Sequence, residues 1–242
     1  MNKIEPGYEY SYYRGQKCKH CNKVVPVFGL GHHVPKSTVD DPFTKRAVYF
    51  YKYGTDSDYF LNRFYNLYAE RFKDDISFDL ICVIPTHEKD TINQNMISLA
   101  TTFGEKTHVP VDTNTIKRIL TTAAQHGIKT KEERILNIKD SLDVTRELTG
   151  KNILVFDNAT TSGATTQVVF DLLKEHGANI VVFFCTTLGI LATKQDFDLN
   201  PIFKAKASHI LEKLHWPKVP KEARQQFKNQ NETKQATKTE LA

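Results

Sequence analysis

The stretch ILVFDNATTSGAT, Ile153–Thr165, is the part of the chain whose reading decides the fold. Ile153–Phe156 is a continuous apolar run, as in a strand buried on both faces of a parallel sheet. Asp157 and Asn158 follow, and Thr161, Ser162, Gly163, Ala164 and Thr165 lead into a helix that Gly177 should end. A turn entering a helix N-terminus aims several backbone N–H donors at one point, and the helix dipole favours an anion there. Gly163 lets the backbone approach a ligand where a Cβ would stand in the way. The hydroxyls of Thr161, Ser162 and Thr165 add donors around the same concavity. Asp157 falls at the carboxyl end of its strand, where open α/β sheets bind ligands. A carboxylate there suits the vicinal hydroxyls of a sugar, or Mg2+. A bare Thr-Ser-Gly is no more than a helix cap; the acid, spacer and hydroxyl string behind an apolar strand points further, to a phosphorylated ribose.

Working outward, Phe78–Ile84 (FDLICVI), closed by Pro85, and Asn179–Thr187 (NIVVFFCTT) read as two more buried strands. Helical spacing of Phe60, Leu61, Phe64, Leu67 and Tyr68 predicts a helix capped by Asp56 or Ser57. Further helices are expected over Thr91–Phe103, Lys129–Ile138 and Thr165–His176. Ala47–Tyr51, aromatic and β-branched, reads as a strand, and Thr113–Ile119 as a strand or the limb of a loop. Strands alternating with helices predict an α/β fold with a parallel sheet flanked by helices.

At 242 residues, 40% hydrophobic and 25% charged, the chain has room for one α/β core and a small appendage. Residues 1–45 differ in composition: they carry Cys18-Lys-His-Cys21 and the turn-prone segment up to His32 and His33, and read as an irregular N-terminal appendage. The core domain is expected over 46–216, ending in one amphipathic helix near Trp216. The Lys/Gln/Asn/Thr-rich tail, 217–242, has too little apolar content to pack. It holds +3 of the net charge of +5, so the rest of the chain lacks the dense basic face of a dedicated nucleic-acid binder. No apolar run nears the roughly 20 residues that span a bilayer, which speaks against membrane insertion. The first residues lack the apolar core of a secretory signal. Both observations point to the cytoplasm, where the four cysteines should stay reduced. Two cysteines at the spacing of Cys18 and Cys21 are half of a zinc knuckle. His32 and His33 are the candidates to complete a Zn2+ site; the other reading is a pair of reduced cysteines without metal.

The string ILVFDNATTSGAT resembles the 5-phosphoribosyl pyrophosphate (PRPP) motif of type I phosphoribosyltransferases, and more narrowly that of ComF-like competence proteins. Ile84-Pro85-Thr86-His87 is similar to that family's proline-x-histidine turn, and Ile92-Asn93-Gln94 to its phenylalanine-asparagine-glutamine. Lys117-Arg118, Gln125, Glu133-Arg134 and Asn137 follow its basic, glutamine and glutamate-arginine-asparagine series in order. The resemblance spans roughly 46–190, and the Cys pair extends it to the appendage. It implies a type I phosphoribosyltransferase-like sheet with a zinc-knuckle-like appendage, and PRPP bound with Mg2+. Thr161–Thr165 would hold the 5′-phosphate and Asp157 with Asn158 the ribose. Thr86 and His87 would form the pyrophosphate loop, with Lys117 and Arg118 as hood cations closing over it. The family usually shows two adjacent acids where this chain has Asp157-Asn158, so one negative charge is lost near the Mg2+.

The expected activity is transfer of phosphoribosyl to an acceptor the sequence does not name. Two alternatives differ in class. One is a DNA-uptake or DNA-processing accessory that keeps the pocket and touches single-stranded DNA through Tyr8, Tyr10, Tyr12, Tyr13 and the basic tail. The other is a PRPP or nucleotide sensor that binds without turnover. The oligomeric state, a dimer included, stays open at this level.

Overall fold

The computed structural model describes residues 11–17, 24–33, 42–189 and 197–198. Cys18 and Cys21, the helix expected near Trp216 and the 217–242 tail lie outside these residues. The described chain runs β1 (Ser11–Lys17), β2 (Val24–Gly29), β3 (His32–His33), α1 (Pro42–Tyr53), α2 (Ser57–Arg71) and β4 (Leu80–Val83). It continues with α3 (Gln94–Thr107), β5 (Ile116–Arg118), α4 (Lys131–Ile138) and β6 (Leu142–Val144). Then come β7 (Asn152–Thr160), α5 (Ala164–Glu175), β8 (Ile180–Gly189) and β9 (Phe197–Asp198).

The main sheet has the order β4-β7-β8-β2-β1-β9, with β3 also paired to β8. Four neighbouring strands, β4, β7, β8 and β2, are mutually parallel, with β4 at one end of the sheet order. Helices flank this sheet, as the alternation in the sequence predicts. β5 and β6 form a separate antiparallel hairpin. No helix among the described residues is long and apolar enough to cross a membrane.

Period-two side-chain alternation sorts each central strand between two cores. Ile81, Val83, Leu154, Phe156, Val182 and Phe184 pack with α1, α2 and α3. Leu80, Cys82, Ile153, Val155, Val181, Phe183 and Cys185 face α5 and the β5–β6 hairpin. Both buried thiols are free and pushed up by desolvation, Cys82 to about 12. Both lie inside the apolar runs that read as buried strands.

Two departures from the sequence reading matter for the site. Ala47–Tyr51 is helix, not strand: it is the middle of α1, whose buried residues are Phe43, Ala47 and Phe50. That i, i+4, i+7 stripe starts before the aromatic run, so a short window reads as β-rich what a longer one shows to be amphipathic. Pro42, at the first helical position, suits a helix start. The second concerns Thr113–Ile119, read as a strand or the limb of a loop: Ile116–Arg118 is strand β5, and it pairs with β6, Leu142–Val144, a strand the sequence reading did not offer. At the N-terminal end, β2 is a strand of the main sheet, Phe28 and Leu30 are core residues, and residue 45 lies inside α1.

The ring of Phe184 sits at the centre of the larger core, against Phe28, Phe64, Phe72, Phe103 and Phe156. Phe184→Ala is expected to cost about 3–5 kcal/mol, read as a lowered urea midpoint. A loss under about 1 kcal/mol would contradict this packing.

Candidate functional site

β7 runs on past its buried stretch to Thr160, and the chain turns at residues 161–163 into α5. Gly163 is the N-cap of α5 with φ +73°, a conformation that costs a glycine least. The first bond into the helix is Gln167 N–H to the Gly163 carbonyl at 2.9 Å. The amides ahead of it have no carbonyl to reach within the helix. Of these, Ala164 N–H turns to Ser162 Oγ at 3.3 Å. The end of β8 presses on the turn: a Cβ at Gly189 would come within 2.7 Å of Thr161 Cγ2 and 3.0 Å of its Cα. Residues 159–166, with Gln125, Arg134 and Asp157, line a cleft of about 310 Å³ counted with its open mouth.

Arg134 reaches this turn from α4. Thr130 and Glu133 start that helix with a capping box. The Arg134 guanidinium donates from Nε to the Ile128 carbonyl at 2.8 Å and from Nη1 to Thr161 Oγ1 at 3.1 Å. No ion-pair partner for it occurs among the described residues. A cation beside the positive end of a helix, with no counter-charge, is an unfavourable arrangement until an anion enters. Gln125 donates from Nε2 to the Arg134 carbonyl at 3.2 Å, while its Oε1 is buried with no hydrogen-bond partner. Asn137 holds Ala123 through both its amide atoms. Gln125, Arg134 and Asn137 thus tie residues 123–128 to α4, Glu133 caps the start of that helix, and Gln125 and Arg134 line the cleft.

Asp157 is buried, in register with Cys185 of β8, and lines the cleft. Burial pushes its carboxyl up to about 7, against which hydrogen bonds from the Asn158 and Ala159 amides act. Asn158 does not line the cleft; its Oδ1 accepts the Ala159 amide at 2.8 Å, and its carbonyl accepts from Thr186 Oγ1. Tyr51, on α1, was outside the sequence reading because its segment reads as a strand. Its phenol is raised first by burial and then by the Asp157 carboxylate.

The loop after β4 stands next to Asp157, because Val83 pairs with Phe156 and Ile84 N–H donates to the Phe156 carbonyl at 2.9 Å. Pro85 is buried, Thr86 half-buried and His87 exposed. Asn93 caps α3 through Oδ1, accepting from Asn95 N–H and Met96 N–H, and its Nδ2 donates to the Tyr51 carbonyl at 2.9 Å. Lys117 and Arg118, expected together as hood cations, diverge on β5. Lys117 is exposed opposite Asp143, whereas Arg118 is 3% exposed. Arg118 Nε donates to the Thr86 carbonyl at 2.9 Å and Nη1 to Ser141 Oγ, and burial lowers its pKa to about 10.

His32 and His33 pair in parallel with Leu188 and Gly189, and Cys18 and Cys21 lie outside the described residues. Among the described residues no three His, Cys, Asp or Glu side chains gather as a metal group. Tyr12 and Tyr13 belong to β1, and Tyr8 and Tyr10 lie outside the described residues.

No family model and no curated protein matches the chain. Among solved structures, it is similar to a purine phosphoribosyltransferase from Pyrococcus horikoshii Ot3, at 17% identity and TM-score 0.36, over 58% of this chain and 78% of that one. It is similar to a phosphoribosylpyrophosphate synthetase from Mycobacterium smegmatis, at 19% identity and TM-score 0.32, over 57% of this chain and 34% of that one. It is similar also to the glutamine PRPP amidotransferase from B. subtilis complexed with ADP and GMP, at 18% identity and TM-score 0.35, over 60% and 31%. The chain thus spans about a third of the length of the latter two. Likeness of this degree leaves the reading of the site to the chain's own residues.

A carboxyl held near 7 when folded, against an ordinary 3.8, keeps its proton longer in the folded than in the unfolded chain. Its contribution to stability is therefore present at low pH and is lost as pH rises through about 7. Asp157→Asn keeps the shape without the charge. It is expected to be more stable than wild type at pH 8 by on the order of 2–4 kcal/mol, with the gap narrowing at pH 5. Urea midpoints of both proteins at the two pH values check this; an equal gap at both would contradict it.

Proposed function

We propose that the chain binds PRPP with Mg2+ in this cleft and transfers the phosphoribosyl group to an acceptor, in the manner of a ComF-like type I phosphoribosyltransferase. The observation that carries the reading is Arg134, a cation without a counter-charge among the described residues, set on the positive end of α5 at the cleft that Asp157 also lines. An anionic phosphate would satisfy the turn amides and Arg134 together. Ribose hydroxyls would then lie at Asp157, and the substituent on C1 would point to the loop after β4. Departure of pyrophosphate breaks the C1–O bond with its electron pair going to pyrophosphate, while the acceptor's lone pair forms the new bond at C1.

Mg2+ keeps several waters and binds through one or two carboxylates plus substrate phosphates. Asp157 is the one carboxylate lining the cleft, so the donor set fits a metal carried mainly by the ligand's own oxygens. Bound there, Mg2+ would neutralise the departing pyrophosphate. Ionisation of Asp157, disfavoured by burial, would be helped by that charge.

One observation favours sensing over turnover. Asn158 is bonded to its own neighbour and does not line the cleft, so a single carboxylate remains to support cationic character at C1. Release of pyrophosphate on incubation with PRPP, Mg2+ and nucleophiles separates the two readings.

Binding is tested by isothermal titration with ribose 5-phosphate and with PRPP plus Mg2+. Wild type is expected to bind both, and Gly163→Val to lose roughly tenfold or more in affinity for each. Heat of the same size from wild type and Gly163→Val, or none from wild type, would contradict the reading.

A further inference from the structure

The loop after β4 and the β5–β6 hairpin are joined by hydrogen bonds along their length. His87 accepts at its carbonyl from Thr122 N–H at 2.9 Å, and Asp90 N–H donates to the Arg118 carbonyl at 3.0 Å. Lys89 N–H donates to Thr121 Oγ1 at 3.0 Å. The guanidinium of Arg118 crosses from the hairpin into the loop backbone, donating through Nε to the Thr86 carbonyl. Its other arm is fixed by Ser141 Oγ, which itself donates to the Ile138 carbonyl at 2.7 Å. Among the described residues Arg118 has no acidic partner; its acceptors are a carbonyl and a hydroxyl. Burying a cation on neutral acceptors is costly, so the placement needs a reason beyond packing.

The peptide plane supplies one. In a trans peptide the carbonyl of one residue and the N–H of the next point in opposite directions. Arg118 draws the Thr86 carbonyl toward the hairpin, so the His87 N–H faces away from it. Among the described residues that N–H has no acceptor, whereas Thr86 N–H is taken by the Thr91 carbonyl and Glu88 N–H by Thr86 Oγ1.

We propose that Arg118 is a positioning residue that sets the Thr86–His87 peptide so that the His87 N–H is presented to the pyrophosphate end of the ligand. This rests on a phosphorylated ribose lying in the cleft, with its 5′-phosphate at Thr161–Thr165 and its C1 toward the β4 loop. Arg118 thus acts through the loop backbone, without touching the ligand itself.

A ligand that stops at C1 should be blind to this peptide, and one that carries pyrophosphate should not. Titration of the full chain with ribose 5-phosphate, and separately with PRPP plus Mg2+, reads the difference. In Arg118→Met, PRPP affinity is expected to fall about tenfold while ribose 5-phosphate affinity stays within about twofold. Ser141→Ala, which removes only the outer support, should lower PRPP affinity by about threefold with the same selectivity. It carries the test alone if Arg118→Met does not fold. Arg118→Lys, able to reach one acceptor, should recover part of the loss relative to Met. Equal losses for both ligands, or no loss for either, would overturn the positioning role. A wild type that binds neither ligand would instead sink the phosphoribosyl reading on which it rests.

Discussion

Parallel pairing of β7 with β4 on one side and β8 on the other is the constraint on which the cleft depends. It brings three carboxyl ends to one edge of the sheet. Asp157 emerges from β7, the loop at Thr86 and His87 from β4 beside it, and Gly189 of β8 backs the turn at Thr161. A slip of one residue in β7 would turn every side chain to the other face, moving Phe156 out of the aromatic core. The register is thus held by the packing of Phe156 and Phe184 in the aromatic core, and the site inherits its geometry from that packing.

Three groups that line the cleft set its electrostatics. Its cation, Arg134, has a helix N-terminus for a neighbour, and its acid, Asp157, is held neutral to about pH 7 by burial. Gln125 Oε1 adds a buried acceptor without a donor. Each of these is a small cost in the empty chain that a phosphate, a metal or a hydroxyl-bearing sugar would relieve. Arg118 is different in kind, since its guanidinium is spent on holding one loop against another.

Much of the sheet was legible because strands buried on both faces are written as apolar runs: Phe78–Ile84, Ile153–Phe156 and Asn179–Thr187 each overlap an observed strand, β4, β7 and β8 in turn. The turn at Gly163 was equally legible, since its positive φ is written as glycine. α1 was misread because three aromatics in five residues hid a stripe that begins at Phe43, and Tyr51 was hidden with it. The opposite fates of Lys117 and Arg118 were not legible either. Adjacent residues on a strand face opposite ways, but which way is decided by pairing with the distant strand β6, whose Leu142 lies opposite Arg118. Arg134 had a place in the series, yet only the packing of α4 beside α5 shows that it ends at Thr161.

The central claim is that Thr161–Thr165, together with Arg134, forms a phosphate seat. Backbone amide NMR of the labelled chain, followed while ribose 5-phosphate is added, tests it most directly. The account predicts that the largest shifts fall on Gly163, Ala164 and Thr165, with a downfield move of the amide proton nearest the phosphate. Shifts centred on α1 and α2 instead, or no shift at saturating ligand, would contradict it.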